Sequence, residues 1–147
     1  MLNPDYHDIL SAFNAGQVEY LLVGAYALAA HGAPRATGDI DLWIRPLPEN
    51  ARRAWLALAG FGAPLEQVRE SDLATPGMVV QIGTAPRRID ILTAIDGVAL
   101  DEAWQGRVEV VVDGLTIPVI GRDDYLRNKR ATGRLRDQAD IEALGER

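Results

Sequence analysis

The sequence predicts an α/β or α+β fold in which helices flank a mixed β-sheet. Helical and strand-like segments alternate over the first half of the chain, and strand pairs dominate the second half. Two polar segments with helical composition close the chain. Because no stretch resembles a linker or a repeat, we expect a single domain over residues 1–147, with a core at about 18–120 and a helical tail at about 121–147.

The first half of the chain predicts the order helix, strand, helix, strand, helix. The first helix has marked ends, since Asn3 can cap it, Pro4 suits its first position and Gly16 can end it. A buried strand, VEYLLV, then leads through Gly24 into a short helix, AYALAAHG. After the loop APRATG, the segment DIDLWI predicts a strand, and PENARRAWLALAGFG predicts an amphipathic helix with Gly60 near its end.

The second half predicts two hairpins and the helical tail. The segments MVVQIG and RRIDILT form the first hairpin, and VEVVVDGLTIPVI forms the second, in which Asp113–Gly114 suits a type I′ turn. LDEAWQG between them predicts one helical turn, whereas the polar stretch 63–77 predicts no regular element. Gly133 separates the two closing helices, RDDYLRNKRAT and RLRDQADIEAL.

Composition excludes several classes of function. A net charge of −6 argues against a protein that binds nucleic acid through an overall positive surface charge. The chain has no cysteine, so disulfides and thiolate sites are excluded, and two histidines are too few for a His-based zinc site. The longest apolar run is too short for a bilayer and the N-terminus lacks a leader pattern, so we expect a cytoplasmic protein without membrane contact.

Two aspartates share one face of the strand DIDLWI. Side chains alternate along a strand, so Asp39 and Asp41 point one way while Ile40 and Leu42 point into the core. The two carboxylates can converge on a hard cation such as Mg²⁺ or Mn²⁺. The alternative is ordinary turn chemistry at Gly38, with an arginine as the partner of Asp41.

Two further features favour the cation site. Gly24 joins a strand directly to a helix, and such a junction can offer backbone N–H groups to a phosphate. Asp90 interrupts the apolar strand RRIDILT, where it is either a structural or edge residue or the third member of a carboxylate cluster. Metal, phosphate and a hydroxyl group are together the ingredients of phosphoryl or nucleotidyl transfer.

These motifs resemble the DNA polymerase β-type nucleotidyltransferase superfamily, in particular its small bacterial branch with the AbiEii-like toxin nucleotidyltransferases. The resemblance covers residues 18–144 and rests on GAYALAAHGAPRATGDID, RIDIL and YLRNKRATGRLRDQAD. It implies that the three aspartates bind two Mg²⁺ ions, with Mn²⁺ as a substitute, and that Asp90 also helps to deprotonate the acceptor hydroxyl. It further implies that Gly24 and Ala25 cradle the phosphates and that Lys129 reaches the triphosphate.

Arg35 has two interpretations within the same resemblance. It lies four residues before Asp39 in the loop APRATG, where it either contacts phosphate or braces the aspartate cluster.

The function implied is Mg²⁺-dependent transfer of a nucleoside monophosphate from a nucleoside triphosphate to a hydroxyl acceptor. The acceptor classes are a tRNA end, a protein or a small molecule, and the partners include a second copy of the chain or a cognate protein. The alternative is a weak or inactive binding module, such as a toxin–antitoxin component. Ala25 favours this alternative because the superfamily often has Ser there, while the three aspartates oppose it. Arg136 stands where the tail motif usually has Lys, which preserves the charge.

Overall fold

The computed structural model describes residues 2–146 and confirms the predicted mixed α/β architecture. Its helices are α1 (Pro4–Ala15), α2 (Gly24–Ala30), α3 (Pro48–Phe61), α4 (Glu70–Leu73), α5 (Leu100–Gln105), α6 (Arg122–Thr132) and α7 (Leu135–Ala143). Its strands are β1 (Tyr20–Val23), β2 (Asp39–Ile44), β3 (Val79–Ile82), β4 (Arg88–Leu92), β5 (Val108–Val112) and β6 (Leu115–Val119).

The six strands form one sheet in the order β3-β4-β2-β1-β6-β5. The two central strands, β1 and β2, run antiparallel, while β4 is parallel to β2 and β6 is parallel to β1. Both predicted hairpins are present, as β3–β4 and β5–β6. Asp113 and Gly114 have φ of 50° and 80°, as a type I′ turn requires. The end of β1 therefore lies beside the beginnings of β2 and β4.

The apolar stripe of α1 is buried in the core, as its spacing predicts. The Asn3 side chain accepts a hydrogen bond from the Tyr6 N–H at 2.9 Å and so caps the helix. Four side chains of the stripe have no exposed surface, namely Tyr6, Ile9, Leu10 and Phe13. The helix packs against α3 and β6, so these residues contribute to the same core as the sheet.

The third helix, α3, ends at Gly62, which has φ of 97°, and Gly60 lies inside its last turn. Beyond it, the stretch without a predicted element forms a 3₁₀ turn (Leu65–Gln67) and α4. Each is too short for an amphipathic period, so sequence spacing alone cannot identify it. No helix within residues 2–146 has the length and apolar character needed to cross a membrane.

The side chain of Asn50 joins the start of α3 to the central strands. Its Oδ1 accepts from the Glu19 N–H at 2.7 Å, and its Nδ2 donates to the carbonyl oxygens of Glu19 and Arg45 at 3.0 and 2.9 Å. The residue is only 5% exposed, so loss of the amide leaves backbone groups without partners in a site with little water.

We expect Asn50→Ala to lower the free energy of unfolding by about 2 kcal/mol, because it leaves these backbone groups unsatisfied. Urea denaturation followed by circular dichroism measures the change. The control is Glu49→Ala, which removes an exposed ion pair with Arg53 and should cost no more than about 0.5 kcal/mol. Equal stability of the two variants would contradict the role of Asn50.

Candidate active site

Three carboxylates meet where β2 and β4 begin. The parallel register places Asp41 directly opposite Asp90, and alternation along β2 places Asp39 on the same face. Each residue offers one carboxylate oxygen, and these oxygens lie within 4.8 Å of one another. Ile40 and Leu42 point the other way and are fully buried. The structure therefore brings together the cluster that the sequence predicts.

Gly24 lies directly against this cluster. A Cβ at this position would lie 2.1 Å from Oδ2 of Asp41, and the residue has φ of +70°. Only glycine combines that left-handed backbone with such a close approach at little cost. In the sequence, access to a phosphate is the expected reason for Gly24. The structure adds a second reason, because the glycine leaves room for the Asp41 carboxylate.

Burial and nearby negative charge act together on Asp41. Burial, followed by the charges of Asp39 and Asp90, raises its pKa to about 7, while Lys129 acts in the opposite direction. A carboxylate with this environment is stabilised by any cation that enters the cluster.

Arg88 contributes a positive charge that sequence analysis missed. Its Nη2 donates to Oδ2 of Asp39 at 2.5 Å and to Oδ2 of Asp90 at 3.2 Å, and its Nε donates to Oδ1 of Asp90 at 3.0 Å. The sequence left open an unspecified arginine partner for Asp41. In the structure, Arg88 pairs with Asp39 and Asp90 instead. One signal was available, because Arg88 precedes Asp90 by two residues in a strand and so shares its face.

Lys129 lies on α6 in the wall of the site, where it is 7% exposed. Its Nζ is 3.3 Å from Oδ1 of Asp137 and 3.8 Å from Oδ2 of Asp140, both on α7. Arg35 makes two contacts with the same Asp140, at 2.8 and 3.2 Å. Arg35 therefore braces a carboxylate of the tail, and the carboxylates of Asp39 and Asp90 are braced by Arg88.

Two more tail arginines line the site. Arg134 donates to Asp137 through Nε at 2.7 Å and through Nη2 at 3.1 Å, and Arg136 is exposed beside it. Burial acts to raise the pKa of Asp137, but hydrogen bonds from Arg134 and Thr132 outweigh it and hold that pKa well below the usual range. Asp137 therefore stays ionised and fixes the cations around it.

Two cavities flank the carboxylates. The smaller, of about 320 Å³, lies between the start of α2, the loop 35–38 and the tail, and has an almost wholly polar wall. The larger, of about 540 Å³, opens on the side of Arg88 and Asp90. Its wall includes side chains from β3, β4, the loop after β4 and α6. Val79, Leu92 and Ile95 are apolar, whereas Asp96 and Asn128 are polar. Six residues border both cavities, namely Gly24, Asp39, Asp41, Lys129, Arg134 and Arg136.

The donor set fits a hard divalent cation. All three aspartates offer oxygen, which Mg²⁺ and Mn²⁺ prefer, and the separation of these oxygens allows them to bind a common ion. A zinc site would be expected to include His or Cys, and neither is part of the cluster.

We expect Gly24→Ala to destabilise the protein by at least about 2 kcal/mol, because the new Cβ is strained in the left-handed region and collides with Asp41. Thermal denaturation measures the loss. Gly60→Ala is the matched control, since Gly60 lies within α3 and a Cβ added there would meet open space, and it should be neutral or stabilising. A neutral Gly24→Ala variant would contradict the packing against Asp41.

We expect Asp41→Asn to be more stable than the wild type at pH 8, by about 1–3 kcal/mol, in chelator-treated protein. A carboxyl group whose pKa is raised to about 7 in the folded state contributes stability below its unfolded pKa and loses it as pH rises through 7. The difference between the two proteins should therefore shrink towards pH 4. Denaturant unfolding across this pH range measures it, and a difference independent of pH would contradict the assignment.

The fold of the chain is similar to that of solved structures, although its sequence has no detectable relatives among curated proteins. No protein-family model matches the chain, and no curated protein is detectably similar in sequence. Among solved structures, the chain is similar to TM1012 of Thermotoga maritima, described as a "putative nucleotidyltransferase", with 19% identity, a TM-score of 0.64 and coverage of 100% of this chain and 97% of the other.

Two further solved structures, both with a small molecule bound, are similar to the chain. The lincosamide antibiotic adenylyltransferase LnuA, solved with lincomycin, is 15% identical with a TM-score of 0.61 over 99% of this chain and 97% of its own. ANT(2")-Ia, in complex with adenylyl-2"-tobramycin, is 18% identical with a TM-score of 0.56 over 95% of this chain and 83% of its own. These neighbours do not confirm the AbiEii-like branch, but their shared architecture shows that this chain has a nucleotidyltransferase fold.

Proposed function

We propose that the protein is a metal-dependent nucleotidyltransferase that moves a nucleoside monophosphate from a nucleoside triphosphate to a hydroxyl acceptor. The observation that carries this proposal is the convergence of Asp39, Asp41 and Asp90 within 4.8 Å, beside the turn at Gly24. The fold shared with nucleotidyltransferases supports the same conclusion.

The three aspartates are the residues that would hold the metal, with Mg²⁺ as the expected ion, Mn²⁺ as a substitute and two ions as the number that the resemblance implies. A bound divalent cation supplies charge neutralisation to phosphate oxygens and favours ionisation of the acceptor hydroxyl. The raised pKa of Asp41 follows from burial and from the nearby charges of Asp39 and Asp90, and a bound cation would lower it.

The smaller cavity suits the triphosphate. Gly24 and Ala25 border it where α2 begins, and the first N–H groups of a helix have no partner within the helix. Lys129, Arg134 and Arg136 line the same space with positive charge. Ala25 can offer a backbone N–H but no hydroxyl, so the attraction for phosphate would come from the metal and these tail cations rather than from a side-chain hydroxyl.

The larger cavity suits the acceptor because it adjoins Asp90. In the proposed reaction the acceptor oxygen attacks the α-phosphorus, the bond from this phosphorus to the bridging oxygen breaks, and pyrophosphate leaves. Asp90 takes the proton of the hydroxyl, as a general base within the cluster.

A small hydroxylated molecule is the acceptor class that we favour. A volume of about 540 Å³ lies in the range of small-molecule pockets. LnuA is described as a lincosamide antibiotic adenylyltransferase, and ANT(2")-Ia was solved with adenylyl-2"-tobramycin. A net charge of −6 makes a tRNA end less suited, since RNA binding gains from positive charge. A tRNA end and a protein are the other outcomes of the labelling experiment below.

One observation favours a second function, that of a weak or inactive binding module paired with another protein or a second copy of the chain. Ala25 provides no hydroxyl at the phosphate turn. Calorimetry with Mg²⁺ and a non-hydrolysable nucleotide separates the two functions. Absence of binding at millimolar concentration would favour the binding module.

We expect Asp39→Asn and Asp41→Asn each to lower nucleotide transfer by at least about a hundredfold and to weaken Mg²⁺-dependent nucleotide binding, because each removes a charged metal ligand. Asp90→Asn should lower turnover more than nucleotide binding. Asp8→Asn, an exposed aspartate of α1, is the control and should behave as the wild type. Transfer at the wild-type rate in either of the first two variants would contradict the metal assignment.

The assay uses each α-labelled nucleoside triphosphate with Mg²⁺ and separate pools of small hydroxylated molecules, tRNA and protein. Label in the small-molecule pool alone is the expected result. Label in tRNA or protein would retain the enzyme activity but overturn the acceptor class.

A further inference from the structure

The guanidinium of Arg88 occupies the position between two of the proposed metal ligands. It uses two nitrogens to contact both oxygens of Asp90 and one oxygen of Asp39, at distances between 2.5 and 3.2 Å. The remaining oxygen of Asp39, Oδ1, accepts a hydrogen bond from the Thr37 hydroxyl at 3.1 Å. All four carboxylate oxygens of Asp39 and Asp90 therefore already have a partner.

Two other cations near the cluster are held by carboxylates of the tail. Lys129 pairs with Asp137 and Asp140, and Arg35 pairs with Asp140. Within the described residues 2–146, the ion pairs of Asp39 and Asp90 are both with Arg88. Charge compensation of these two carboxylates thus rests on one side chain.

The side chain of Arg88 is free to leave while its backbone stays fixed. The Arg88 N–H donates to the Gly38 carbonyl at 3.2 Å, and the Arg88 carbonyl accepts from the Tyr6 hydroxyl at 3.0 Å. The side chain itself is 34% exposed and borders the larger cavity, which offers space for the displaced guanidinium.

We propose that Arg88 is a positioning residue that holds Asp39 and Asp90 together as an internal counter-ion and must be displaced when a divalent metal binds. This inference rests on the proposed metal-dependent function. Its consequence is that Arg88 lowers the affinity of the free protein for metal.

A purely structural role for Arg88 makes the opposite prediction. If Arg88 served only to support the cluster, its removal would disorder the ligands and weaken metal binding. If Arg88 competes with the metal, its removal frees the carboxylate oxygens and strengthens metal binding. The sign of the change in affinity therefore separates the two roles.

The test is the affinity of chelator-treated protein for Mn²⁺ without nucleotide, measured from the electron paramagnetic resonance signal of free Mn²⁺. We expect Arg88→Gln to bind Mn²⁺ at least about fivefold more tightly than the wild type. This factor is at the lower end of the coupling usually found between two competing binding events, here those of the guanidinium and the metal. Arg87→Gln is the matched control, because it removes the same charge from the neighbouring position, where Arg87 lies 3.7 Å from Asp5 and is 55% exposed. Arg87→Gln should bind Mn²⁺ as the wild type does.

A second readout is thermal stability. Without metal, Arg88→Gln should melt at a lower temperature than Arg87→Gln, and Mn²⁺ should raise its melting temperature more than that of the wild type. If circular dichroism shows that Arg88→Gln does not fold, Arg88→Lys replaces it, since a lysine keeps the charge but cannot form the two-pronged contact. Arg88→Lys should also bind Mn²⁺ more tightly than the wild type.

The outcomes distinguish this inference from the proposed function. Equal or weaker Mn²⁺ binding by the Arg88 variants than by Arg87→Gln would overturn the role of Arg88 alone. Absence of Mn²⁺ binding in the wild type and in every variant would overturn the metal site as well.

Discussion

The parallel pairing of β2 with β4 imposes the constraint on which the rest of the site depends. It places Asp41 opposite Asp90 and brings three carboxylates within 4.8 Å at the edge of an apolar core. Like charges at this spacing oppose folding unless protons, basic side chains or metal ions compensate them. Asp41 responds through a raised pKa, while Asp39 and Asp90 are compensated by Arg88.

In the helical tail, buried carboxylates compensate a group of positive charges. Two carboxylates of α7 hold basic residues of the tail in fixed positions facing the site. Asp137 and Asp140 are almost fully buried and bind Lys129, while Asp140 also binds Arg35 from the loop before β2. The tail is thereby attached to the sheet domain through ion pairs that also orient the cations lining the smaller cavity.

Sequence periodicity predicted the order of elements because most of them carry a complete apolar stripe or a marked end, as in α1 with Asn3 and Gly16. It also predicted the aspartate cluster, since alternation in β2 decides which way Asp39 and Asp41 point. The sequence could not assign Arg88, because a long side chain reaches several partners and the choice depends on the register of β2 against β4. For the same reason the partner of Arg35 could not be predicted, as Asp140 is 105 positions away along the chain.

Gly24 and Asp41 both lower the stability of the folded protein at this site, and this loss of stability points to function. The glycine adopts a left-handed conformation so that a carboxylate can approach its Cα, and that carboxylate is buried beside two others. A fold selected for stability alone would place apolar or neutral groups there, since most residues of β1, β2 and β4 are apolar. Local sequence preferences that conflict with stability are typical of functional sites. In the proposed function, a cation that enters the cluster would resolve this conflict, because the repulsion among the carboxylates would become attraction for the cation.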